Sequence, residues 1–127
     1  MVHRDMFYFA DIDEKFINST KDIKGLEDGV LVHCQQCLEK NIKGIITKKY
    51  GVISRELNLV KLLEFLYMND YPELKSFKSL CRDFKDFYFS RRYASEDYEI
   101  LDDEEYISYL EQFFELLEKL KIIRNKI

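Results

Sequence analysis

The stretch HCQQCLEKNIKG, residues 33–44, sets two cysteines three apart beside a histidine and follows them with a glutamate and two lysines. Three chemistries use such residues: a zinc centre, a redox dithiol, and a polar site carried on one side of a helix. Structural zinc takes four ligands, normally as two pairs presented by turns. Beyond Cys34 and Cys37 the only other cysteine or histidine candidates are Cys81, His33 and His3, scattered and unpaired, so no metal ligands are assigned. A redox dithiol needs its first cysteine at a helix N-terminus after a strand, where the dipole lowers the thiol pKa. Cys34 falls inside a helical pattern with no strand before it. Both thiols lie on or beside the side marked by Val30, Leu38 and Ile45, where cysteine serves as a small core hydrophobe.

The residues between and after the cysteines form a second face. Gln36, Lys40 and Lys43, with Glu39 at the edge, fall within roughly a third of the helix circumference. From spacing alone, a solvated face of ordinary i,i+4 neighbours is the better explanation of that stripe. A second segment adds weight to a binding role. In FYFSRRYASEDY, residues 87–98, Arg91 and Arg92 are flanked by Tyr88, Tyr93 and Tyr98, offering fork donors for phosphate and rings that stack on a base. The alternative is that the two arginines satisfy helix C-terminal carbonyls or pair with the acidic run from Glu96 to Glu105.

The elements that must position these groups read as helices. The 127 residues suit one domain, 1–127, with a third of them charged and only four glycines and one proline, a composition poor in turn formers. Periodicity predicts five segments. The first runs from about Asp5 to Thr20, with Phe9, Ile12, Phe16 and Ser19 at helical spacing. The second runs from about Glu27 to Lys48, with Val30, Leu31, Cys34, Leu38, Ile42 and Ile45 inward. The third is capped by Ser54 and ends at Asn69, with Leu57, Val60, Leu63 and Phe65 or Leu66 inward. Pro72 opens the fourth, which carries Leu74, Phe77, Cys81, Phe84 and Tyr88 and ends near Phe89. Asp102 and Glu105 form a capping-box-like pair ahead of Ile107, Leu110, Phe114 and Leu117 in the fifth. Period-two alternation is nowhere sustained, so the expected fold is an all-α antiparallel bundle of about five helices.

A formal net charge of -4 argues against general coating of nucleic acid and leaves local basic patches as the only route to phosphate. No apolar run reaches the length of a membrane span, and MVHRDMFYFADIDEK meets acidic residues before a signal core, so a cytoplasmic location without membrane contact is expected. Three cysteines are then expected to be reduced. Ten Phe and nine Tyr exceed what so small a bundle readily buries, which predicts a homodimer using the first or last helix. Arg124, in KIIRNKI, reads as an isolated cation in a frayed terminus.

HCQQCLEKNIKG and FYFSRRYASEDY, in this order and with the Leu-rich SRELNLVKLLEFL between them, resemble the small prokaryotic HEPN domains over about Asp5 to Leu120. The resemblance implies an all-α, usually dimeric bundle associated with RNA or nucleotide binding, often beside a minimal nucleotidyltransferase in toxin-antitoxin pairs. It carries binding roles onto Gln36, Glu39, Lys40, Lys43, Arg92 and Tyr93, with no cofactor. The chain departs from the family's ribonucleases, which place a histidine four to six residues after an arginine; neither His3 nor His33 follows an arginine at that distance, and Ala94 stands where proline is common. Metal-independent cleavage needs a group titrating near neutrality to move the 2'-hydroxyl proton. Glu39 could serve only with a raised pKa, and Lys40 and Lys43 are expected to lower it. No catalytic residue is therefore assigned. The expected function is a nucleotide- or RNA-binding protein without ribonuclease activity, the alternatives being a ribonuclease toxin with non-standard residues and a ligand-free interaction module.

Overall fold

The computed structural model describes residues 5–92 and 101–127, and the side chains of 5–86 and 101–127. Five α-helices follow one another: α1 (Met6–Thr20), α2 (Glu27–Tyr50), α3 (Leu59–Asn69), α4 (Lys78–Arg92) and α5 (Asp103–Lys126), with a 3-10 turn at Pro72–Phe77 leading into α4. There is no strand among the described residues. The all-α bundle expected from periodicity is what forms.

Helix starts are set by short polar side chains that accept from otherwise unpaired backbone N–H groups. Asp5 accepts from the Tyr8 amide at 3.0 Å, Asn58 from those of Val60 and Lys61, and Asp102 from that of Glu105 at 2.8 Å. At the other end of α2, Gly51 turns the chain out at φ 70, a left-handed conformation that glycine adopts without a Cβ penalty. The third helix begins at Leu59, not after Ser54. Ser54 instead accepts from the Glu56 amide in the approach, and Leu57, expected inward, is exposed. Asn58 outcompetes Ser54 because its carboxamide reaches two amides at once. The fourth helix opens as the 3-10 turn behind Pro72 and runs on to Arg92, past Phe89.

α2 is the central element, packed against α1, α3, α4 and α5. Phe7 lies against Gly44, Cys37 Sγ donates to the Ala10 carbonyl and Asp13 meets His33, so α1 runs antiparallel to α2. Asp11 meets Arg124 and the Tyr106 hydroxyl donates to the Lys21 carbonyl, which sets α5 antiparallel to α1. The expected inward set of α2 is buried throughout, with Cys34, Cys37 and Cys81 in the same core as free thiols. Gly44 is close-packed: a Cβ there would stand 2.6 Å from the Phe7 ring.

Two faces differ from expectation. On α1 the inward residues are Ala10, Asp13 and Ile17, while Phe9, Ile12, Phe16 and Ser19 point outward. The carboxylates beside Ala10 have cationic partners on α2 and α5, and satisfying them turns the aromatic residues out. On α5, Leu117 is buried as expected with Tyr106, Phe113, Leu116, Leu120 and Ile123, Leu110 and Phe114 are half-buried, and Ile107 is 53% exposed. Arg124 is neither frayed nor isolated. It forks onto Asp11 with two bonds of 2.9 Å, donates to Asn41 Oδ1 at 2.9 Å and lies 4.8 Å from the Phe7 ring centre.

Candidate functional site

Asp13 is the buried charge on α1, and it is shared. One carboxylate oxygen meets His33 Nδ1 at 3.1 Å and the other accepts from Lys40 Nζ at 2.7 Å. His33 and Lys40 stand seven residues apart, two turns on one side of α2, so a single carboxylate from the facing helix spans both. The imidazole packs on Phe16 with ring centres 4.0 Å apart. Its Nε2 has no hydrogen-bond partner among the described residues.

Gln36, Glu39 and Lys43 continue from this cluster around the same helix. Gln36 is half-buried, and Glu39 and Lys43 form an i,i+4 pair at 3.8 Å with side chains only 18% and 12% exposed. The stripe is thus much less open than a solvated face. Burial raises the Glu39 pKa above the usual carboxylate range against the pull of Lys43, Lys40 and a Gln35 hydrogen bond. That corrects the expectation that the lysines would prevail: desolvation of the carboxylate outweighs two partly buried ammonium groups. Gln35, the neighbour of Gln36, is itself buried.

Arg92 closes α4, and its side chain lies outside the described residues, as do Tyr93 and the acidic loop beyond it. The structure therefore brings Gln36, Glu39, Lys40 and Lys43 onto one run of α2, with Asp13 and His33 at its edge. The cysteines lie behind this run. Burial pushes the Cys37 and Cys81 thiols up to about 12 and Cys34 higher, so all three are protonated and inert at neutral pH. Among the described residues no group of three or more His, Cys, Asp or Glu side chains is arranged to hold a metal ion.

Asp13 and the Asn41–Arg124–Asp11 contact were missed in the sequence. The signal for Asp13 was its spacing with Ala10 and Ile17, which places a carboxylate on an inward stripe; reading the larger aromatic residues as inward concealed it. A paired buried carboxylate beside a histidine with one free ring nitrogen can hold the imidazole in one tautomer and can bias nearby ammonium groups toward or away from an anion.

No helix among the described residues is long and apolar enough to cross a membrane. Comparison with curated proteins and with solved structures gave no match. The family model of the HEPN domain matches residues 15–121, from the middle of α1 to the last turns of α5. With that match over most of the chain and an all-α bundle carrying the Gln36–Lys43 run on its central helix, the protein belongs to the HEPN domain family.

Proposed function

We propose that this HEPN protein is a nucleotide- or RNA-binding subunit without ribonuclease activity, a single domain over residues 1–127 that acts as a cytoplasmic homodimer beside a minimal nucleotidyltransferase in a toxin-antitoxin-type system. The observation that carries the reading is the half-buried run of Gln36, Glu39, Lys40 and Lys43. Keeping four polar side chains partly out of water on the central helix costs solvation that an apolar face would avoid, and perturbed, partly buried charges cluster at binding sites. Lys40 and Lys43 supply donors to a phosphate, Gln36 a carboxamide to a base or sugar, and Arg92 and Tyr93, adjacent in sequence, a fork and a ring. Asp13 and Glu39 hold the lysines in place and reduce the net charge of the run, which favours a ligand of defined geometry over any polyanion.

Fluorescence polarisation with short labelled single-stranded RNA and with a labelled nucleotide tests this. Lys40→Gln, Lys43→Gln and Arg92→Ala are each expected to weaken binding about tenfold, the effect of losing one charge-assisted hydrogen bond. Lys48→Ala, an exposed cation on α2, is expected to leave affinity unchanged. Arg124 is unsuitable as a control because it ties α5 to α1 and α2. Equal losses in all four variants would reduce the site to general electrostatics, and no binding by the wild type would favour the ligand-free module.

One observation favours the ribonuclease alternative. His33, oriented at Nδ1 by Asp13, has a free Nε2 able to accept a 2'-hydroxyl proton. RNA cleavage that leaves a cyclic phosphate and disappears in His33→Ala would establish that reading; the proposal expects no cleavage by either protein.

A further inference from the structure

The outer face of α1 is built from Tyr8, Phe9, Ile12 and Phe16, each between 41% and 46% exposed. At 3.6 residues per turn these four side chains fall within roughly a third of the circumference. Asp5 and Ser19 sit at the two ends of the face and Lys15 on its border, all exposed, so its centre carries no charge. The other carboxylates of α1, Asp11, Asp13 and Glu14, are turned away and engaged by Arg124, by His33 and Lys40, and by Lys121. The helix therefore uses its charges against its own bundle and leaves its large apolar groups facing out.

We infer that this face is the surface on which a second copy of the chain docks, with the two α1 helices antiparallel about a two-fold axis at Ile12. This names the surface for the homodimer proposed above and rests on that reading. The pattern is self-complementary. Around Ile12, Phe9 comes beside Phe16 of the partner and Tyr8 beside the partner's Lys15, giving an aromatic pair and a cation beside a ring, each twice. An antiparallel meeting also sets the positive end of each helix dipole against the negative end of the other. A polyanion would not choose this face, since its exposed charges are one acid and one base. Phe16 also covers the His33 ring, so the interface runs along the edge of the Asp13–His33–Lys40 cluster.

The test compares two exposed isoleucines, Ile12 on α1 and Ile107 on α5. Light scattering of the wild type is expected to give twice the 15.4 kDa chain mass, Ile12→Arg the chain mass itself, and Ile107→Arg the dimer. A second arm introduces Ile12→Cys or Ile107→Cys. The native thiols are buried and protonated, so mild oxidation or a short bis-maleimide is expected to link Ile12→Cys into covalent dimers and to leave Ile107→Cys unlinked. Circular dichroism is expected to show unchanged helicity in every variant, and the Ile12→Cys arm decides the matter should Ile12→Arg fail to fold. A wild-type dimer that persists in Ile12→Arg, or that gives no crosslink through Ile12→Cys, overturns the α1 surface and keeps the homodimer. A wild-type monomer overturns both.

Discussion

The two flanks of α2 are held by different physics. On the α1 and α5 side, three acids of α1 engage partners across the bundle: Asp11 the Arg124 guanidinium at 2.9 Å, Asp13 the His33 imidazole at 3.1 Å and the Lys40 ammonium at 2.7 Å, and Glu14 the Lys121 ammonium at 2.6 Å. On the α3 and α4 side, Leu59, Leu62, Leu63, Leu66, Leu74, Phe77, Leu80, Cys81 and Phe84 are buried, and the Lys78–Glu64 and Lys49–Asp70 pairs lie at the surface, each at 3.6 Å. Apolar packing depends on volume and contains no group that titrates near neutrality, so it is nearly indifferent to pH. Partly buried ion pairs depend on the ionisation of each partner and on geometry. One side of the bundle is consequently tuned by solution conditions more than the other, whose ion pairs lie at the surface.

The largest effect is expected on the apolar flank. Phe84→Ala should cost about 3–5 kcal/mol, because a fully buried ring leaves a cavity that its neighbours fill incompletely. Urea denaturation measures it, and a loss below about 1 kcal/mol would break the contrast between the flanks. On the polar flank Arg124→Ala should cost about 1.5–3 kcal/mol, since it strips the fork from Asp11 and a donor from buried Asn41. Arg124→Lys should not restore the loss, as an ammonium cannot make the two-pronged contact. Hydrogen exchange in the last turns of α5 would locate the change.

Glu39 sharpens the comparison through pH. Its folded pKa is raised, so the folded state keeps the proton at higher pH than the unfolded chain does. Its contribution is fully present below the ordinary glutamate value of 4.5 and is lost as pH rises through the folded pKa. Glu39→Gln is therefore expected to be more stable than wild type at pH 7, with the two thermal transitions converging near pH 4. A wild type equal to the variant at pH 7 would mean that the Lys43 pair cancels the burial. The smallest effect belongs to Lys24→Ala, which removes a 3.5 Å pair with Asp103 between largely exposed side chains and should shift stability by no more than about 0.5 kcal/mol.

Legibility in the sequence divides along the same line. The helices, the inward residues of α2 and the burial of the three cysteines followed from apolar spacing, because the apolar core is a matter of periodicity. The α1 face did not. Phe9, Ile12 and Phe16 form the more hydrophobic stripe, yet Asp13 must meet Lys40 and His33, and such partners come from distant segments that spacing along one helix never brings together. Arg124 was misread for the same reason, since its partners lie 113 and 83 residues away. The Gln36–Lys43 run was visible as a polar stripe. Its partial burial depends on how the neighbouring elements close over α2, which no local pattern carries.

Gly44 bears on all of this from a distance. Because the Phe7 ring occupies the space where a side chain would begin, this position works as a key and slot that sets how far α1 slides along α2. Antiparallel helices can otherwise trade one turn of offset for another at little cost in apolar contact. A slip of that size would carry Asp13 past His33 and Lys40 and shift Ile12 along the bundle by about 5 Å. A glycine with no chemistry of its own is thus the gauge mark against which the charged cluster and the outer face of α1 are both aligned. Variation at this residue should travel together with variation at Phe7.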